Sequence, residues 1–162
     1  MRHLSWPAVV AAAADHAVRV GAGVLIVDTV SQFAGLRGDA ENNSGDALAA
    51  VEPLQAAAAR GLAIIASRHE RKGGGEVGES GRGSSAFSGA VDIVVAIRRG
   101  EGQTKPTVRV LHTLSRFSET PDTLVIDLTD RGYVALGTEG TVAVLEAERA
   151  ILDRLPILPS PN

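Results

Sequence analysis

At 162 residues the chain has the length of one ordinary domain, with 44 % hydrophobic residues but only 3 % aromatic ones, so Ala, Val, Leu and Ile must fill its core. A net charge of −3 gives no global basic footprint, so any nucleic-acid contact has to come from a local patch. The absence of cysteine excludes disulfides and thiolate metal sites and suits a reducing cytoplasm, where we expect the protein to reside. The longest apolar run, Ala8 to Ala14, is too short for a bilayer, so no membrane association is expected. The first residues show no signal-peptide pattern, because the Ala-rich stretch soon gives way to Asp15-His16.

Residues 5–20 read as a helix, with Ser5 as cap, Pro7 in the first turn and Gly21 as the stop. Asp15 and Arg19 stand i,i+4 on its polar side. Gly23-Val24-Leu25-Ile26-Val27-Asp28 follows, four branched apolar residues closed by a carboxylate. Such a run predicts a strand buried on both faces of a parallel sheet. A loop over 29–43, a helix over about 44–60 kinked or restarted at Pro53, and a second buried strand from Leu62 to Ser67 complete a β-α-β unit. That order predicts a parallel pair joined by a right-handed crossover. Residues 68–83, rich in glycine and mixed charge, read as a mobile loop. Further strands are predicted over 90–97 and 107–113, then a hairpin of 123–128 and 132–136 around Asp130-Arg131-Gly132. A last helix covers about 141–154 and a Pro-rich tail follows. The fold class is α/β, a mostly parallel sheet with an antiparallel extension at one edge.

Asp28 is the leading site residue. An acid at the carboxyl end of a parallel strand lies where open α/β sheets bind ligands, and in nucleotide hydrolases it holds Mg²⁺ through a water. It also fits a strand-ending Asp that caps the next turn. Arg68-His69-Glu70-Arg71-Lys72 comes directly after a strand, placed to sense a phosphate or to form a solvated charged turn. Over 68–83, four basic residues against three acids leave a surplus of one positive charge, a weak footprint for a phosphate backbone. His69 has no partner at metal-ligand spacing. Arg82-Gly83-Ser84-Ser85 offers hydroxyls and free backbone N–H groups, suited to a nucleic-acid backbone, a helix cap, or both. Arg116 reads as an arginine finger or as an exposed turn residue.

The order of these segments resembles the plasmid RepA-type branch of the RecA-like ATPases, relatives of the DnaB-type hexameric helicases. It is carried by Leu25-Ile26-Val27-Asp28, Asp39-Ala40-Glu41-Asn42-Asn43, Ile64-Ile65-Ala66-Ser67-Arg68-His69-Glu70-Arg71-Lys72, Arg82-Gly83-Ser84-Ser85 and Val91-Asp92. The resemblance covers about 1–137, leaving 138–162 as a C-terminal helix and tail. It implies a RecA-like core using ATP and Mg²⁺, with Asp28 as the Walker B acid and Asp39, Glu41 and Asn42 in the acidic-Asn loop. His69 and Lys72 would belong to the sensor segment, and Lys72, Arg82, Ser84 and Ser85 would contact single-stranded DNA in a hexamer's channel. Ser115-Arg116-Phe117 would be the arginine-finger region, with Leu114 where the family usually has a lysine. The sequence holds no Gly-x-x-x-x-Gly-Lys-Ser/Thr loop and no catalytic acid after one, and only 22 residues precede the first strand. The resemblance therefore implies the C-terminal part of a helicase or replication ATPase, hydrolytic only with an N-terminal half. The alternatives are a non-catalytic binding or assembly module and a fragment of a recombinase or KaiC-type ATPase.

Overall fold

The computed structural model describes residues 4–37, 40, 43–69, 86–100 and 105–155. The chain is mixed α/β and divides into two units, Met1–Val94 and Val95–Asn162.

The first unit begins with helix α1 (Trp6–Arg19), strand β1 (Val24–Val27), a short helix α2 (Val30–Phe33), helix α3 (Ser44–Ala58) and strand β2 (Ala63–Ala66). A four-residue helix α4 (Ala86–Gly89) comes later. Pro7 sits in the first turn of α1, where its missing N–H costs nothing, and Gly21 ends the helix at φ +71°. Val10, Ala14 and Ala17 line one face of α1, and Ala47, Ala50, Val51, Leu54 and Ala57 one face of α3. With Val27, Val30, Leu62 and Phe87 they form one buried cluster. Alanine loses no side-chain entropy on burial and lets two helices approach closely. At that contact the Trp6 indole N–H donates to the Ala50 carbonyl at 2.8 Å.

Two local expectations are corrected here. The helix does not restart at Pro53: α3 continues through it, with buried residues on both sides. Asp15 pairs with Arg60 at 2.8 Å, across α1 and the end of α3, rather than with Arg19. Both partners are exposed, so the pair contributes no more than about 1 kcal/mol.

β1 and β2 are parallel, in register from Val24↔Ala63 to Val27↔Ala66, as the β-α-β order predicts. They are not buried on both faces. Val27 is buried, whereas Val24, Ile26 and Ile65 are 48, 66 and 56 % exposed. Among the described residues β2 has one hydrogen-bonded neighbour, β1.

The remaining strands are β3 (Ile93–Arg98), β4 (Val108–Ser115), β5 (Thr123–Thr129) and β6 (Gly132–Gly137), followed by helix α5 (Glu139–Leu152). They form a separate sheet in the order β3-β4-β5-β6. β4–β5 and β5–β6 pair antiparallel, the latter with a register shift at Val125/Ile126. Parallel pairing is thus confined, among the described residues, to β1 and β2, and the antiparallel part exceeds the expected edge hairpin. The predicted turn at Asp130-Arg131-Gly132 is present, with Gly132 at φ +113°, a conformation that favours glycine. The core of this unit is Val108, Val110, Val125 and Val142. No described helix is long and apolar enough to cross a membrane.

α5 packs through few side chains, so its cap matters. The Thr138 hydroxyl accepts the Thr141 N–H at 3.2 Å. Thr138→Ala is expected to cost about 1 kcal/mol, with Thr138→Asn retaining most of it. Hydrogen exchange at Thr141 is the readout, and unchanged protection in Thr138→Ala would remove the cap from the balance.

Candidate functional site

The parallel register sets the site. Val27 pairs with Ala66, so the next residue of each strand, Asp28 and Ser67, emerges side by side at the carboxyl ends. The Ser67 hydroxyl donates to Asp28 Oδ1. The Ser67 N–H donates to the Val27 carbonyl at 2.9 Å, and the Val30 N–H donates to the Ser67 carbonyl at 3.1 Å. These bonds tie the start of α2 back to the end of β2, so the chain leaves β1 along a fixed path. The Asp28–Thr29 peptide on that path is cis.

Asp28 is exposed, so the acceptor capacity not used by Ser67 faces solvent. Arg68 turns back onto the core, its guanidinium carbon 3.8 Å from the centroid of the Phe87 ring. Phe87 is 5 % exposed, so the contact anchors the first residue after Ser67 against the buried cluster. His69 follows in an exposed position at the same end of β2.

Of the residues singled out in the sequence, Asp28 and His69 lie at the carboxyl ends of adjacent strands in the first unit. Arg116 belongs to the second unit, exposed in the turn after β4. Lys72, Arg82, Ser84 and Ser85 lie outside the described residues, as do Asp39, Glu41 and Asn42. Ser67 was not singled out. The available signal was indirect: strands of equal length in a β-α-β unit bring their first following residues together, and a serine there meets the aspartate.

A carboxylate held by one hydroxyl and open to solvent can accept from water or from a metal-bound water. Among the described residues no three His, Asp or Glu side chains gather into a metal site. Asp28 therefore fits Mg²⁺ only as one outer contact, since the ion prefers six oxygens and keeps several of its waters. No protein-family model matches the chain, and no curated protein matches it either.

Proposed function

We propose that the chain is the C-terminal part of a RecA-like ATPase of the RepA type, an ATP-driven DNA helicase or replication protein when complete. The observation that supports this most is Asp28 at the carboxyl end of β1, bonded by Ser67 from the parallel neighbour. In this role Asp28 would hold Mg²⁺ through a water, with Ser67 fixing the carboxylate's rotamer. The bound ion would neutralise charge on the phosphates. His69 would report the phosphate's state, Lys72, Arg82, Ser84 and Ser85 would grip single-stranded DNA, and Arg116 would act in a neighbouring subunit of a hexamer. The exposed face of Val24, Ile26 and Ile65, beside an edge of β2 that has no strand partner among the described residues, is a second support. Parallel sheets are ordinarily covered on both faces, and a phosphate-loop strand with its helix would cover this one. The same face favours a second role, a non-catalytic assembly module in which a partner docks there and no phosphate is bound.

The phosphate loop and its lysine are the main anchor for the β- and γ-phosphates. The purified 162-residue chain is therefore expected to show no Mg²⁺-dependent ATP turnover. Adding the phosphate-loop segment of a RepA-type protein in trans should produce turnover, and Asp28→Ala should abolish it. Turnover by the chain alone would place the phosphate site elsewhere. Turnover unaffected by Asp28→Ala in the reconstituted complex would refute the assignment of the acid.

A further inference from the structure

The sheet of the second unit has two unlike faces. Residues directly opposite each other on antiparallel strands share a face. Val108 opposes Asp127 and Val110 opposes Val125, and these valines form the buried core with Val142 of α5, so theirs is the face that α5 covers. On the other face Arg109, Ile126 and Ala135 make one row across β4, β5 and β6. The next row toward the β5–β6 turn is Thr107, Leu128 and Tyr133. Leu128 pairs with Tyr133, and its N–H donates to the Thr107 carbonyl at 3.2 Å. This row is open, with Leu128 and Tyr133 45 and 61 % exposed. Tyr133, the single tyrosine of the chain, therefore presents its ring to solvent on a hydrogen-bonded strand.

Cations stand around that row. The Arg109 Nη1 donates to the Pro106 and Val108 carbonyls, each at 2.7 Å, which draws the guanidinium back along β4 toward Thr107. Its Nε and Nη2 hydrogens have no partner among the described residues. Lys105 precedes Pro106 and Arg131 lies in the turn before Gly132, both exposed. Among the described residues none of the three pairs with a carboxylate. The same turn holds one acid, Asp130, while Asp127 belongs to the face that α5 covers.

We propose that this face of β4, β5 and β6 binds single-stranded nucleic acid, with a base stacked on Tyr133 and phosphates held by Arg109, Lys105 and Arg131. An exposed ring beside unpaired cations suits a ligand that carries a flat π-face and a negative charge in every unit. An acidic peptide would satisfy the cations and leave the ring unused. A duplex keeps its bases paired and stacked, so it would meet the cations alone. Tyr133 and Thr107 stand two strand spacings apart, about 9–10 Å, so a short run of nucleotides laid across the strands reaches both the ring and Arg109. The chain as a whole carries a net charge of −3, so binding is local, modest and sensitive to salt. This site does not depend on the ATPase reading and is separate from Lys72, Arg82, Ser84 and Ser85.

Fluorescence anisotropy of the full chain with a labelled oligothymidylate of about 15 nucleotides, at low salt, tests this. Binding is expected, with a duplex of equal length held more weakly. Tyr133→Ala should raise Kd about tenfold, and Tyr133→Phe should restore it, since stacking needs the ring and not the hydroxyl. Lys105→Ala and Arg131→Ala should each lower the slope of log K against log salt by about 0.7, which a merely structural role would not do. All three positions are exposed, so the variants should melt as the parent chain does. An iodouracil-substituted oligonucleotide, photocross-linked to the full chain, should attach to the peptide that contains Tyr133. Absence of binding at low salt, equal affinity for the duplex, or an unchanged Kd in Tyr133→Ala would overturn the proposal. Cross-links confined to residues 72–85 would overturn it too, while leaving the ATPase reading intact.

Discussion

Phe87→Ala is expected to destabilise the first unit by about 3–5 kcal/mol, the usual cost of removing a buried aromatic side chain. Phe87 is 5 % exposed and is the largest side chain of a cluster built mostly from alanine and valine. Small neighbours cannot swing into the space its ring leaves, so the cavity term is kept almost whole. Gln55 on α3 donates to the Ala90 carbonyl at 2.8 Å, which fixes the segment after α4 and limits collapse of the helix into the gap. The loss also reaches the site. The Arg68 guanidinium lies on the Phe87 ring, and Arg68 directly follows the serine that holds Asp28. Phe87→Leu should recover most of the burial and lose the cation–π part, about 0.5–2 kcal/mol. A total stability of about 5–15 kcal/mol is typical of a domain, so Phe87→Ala should move the urea midpoint far. A cost below about 1 kcal/mol would take Phe87 out of the core. A double-mutant cycle with Arg68→Met isolates the ring–cation contact, and zero coupling would show that the stacking contributes nothing.

The sequence made the ends of elements easier to read than their faces. The run of Val24 to Val27 announces a strand and Asp28 its end, because branched apolar residues fit a pleated surface and an acid does not. Which face is buried was not legible, since a run without polar residues carries no alternation to read. Continuous hydrophobicity implied cover on both sides, yet Val24 and Ile26 are exposed while Val27 is buried. α2 was read as loop because Val30 to Phe33 is one turn, too short to show a 3.6-residue period. Pro53 suggested a kink or a restart from local chemistry alone, and α3 continues through it with Ala50, Leu54 and Ala57 buried on either side. The same limit explains Asp15: the spacing to Arg19 is visible along the chain, while Arg60 approaches only once α1 and α3 pack. At the site, Asp28 stood out as the lone acid after an apolar strand. Ser67 acquires its role from the strand register, which sequence spacing suggests but does not display.

Arg116→Ala is expected to have the largest effect on catalysis, a fall of roughly 10³–10⁵ in ATP turnover by the reconstituted oligomer. In the proposed role Arg116 would act on charge that develops in the transition state, so nucleotide affinity should change far less than turnover. The local structure suits a side chain that must be presented at a fixed angle. The Phe117 N–H donates to the Ser115 hydroxyl at 3.0 Å, and that hydroxyl meets the Thr120 hydroxyl at 2.9 Å. The Thr120 N–H closes the turn onto the Phe117 carbonyl at 3.2 Å, and the Thr113 hydroxyl donates to the Pro121 carbonyl. Arg116 thus sits on a cross-braced tip of β4, exposed beside Phe117, which is 53 % exposed. Arg116→Lys should not restore the rate, since an ammonium lacks the planar fork of donors that spans two phosphoryl oxygens. Ser115→Ala should loosen the tip and lower turnover by a smaller factor, with binding unchanged. Mixing wild-type subunits with Arg116→Ala subunits that also carry Asp28→Ala separates action within a subunit from action on a neighbour. If Arg116 works across the interface, a wild-type subunit next to the doubly altered one loses its finger, and activity falls faster than the wild-type fraction. A linear fall would place the arginine's action within its own subunit, and normal turnover in Arg116→Ala would remove it from the reaction altogether.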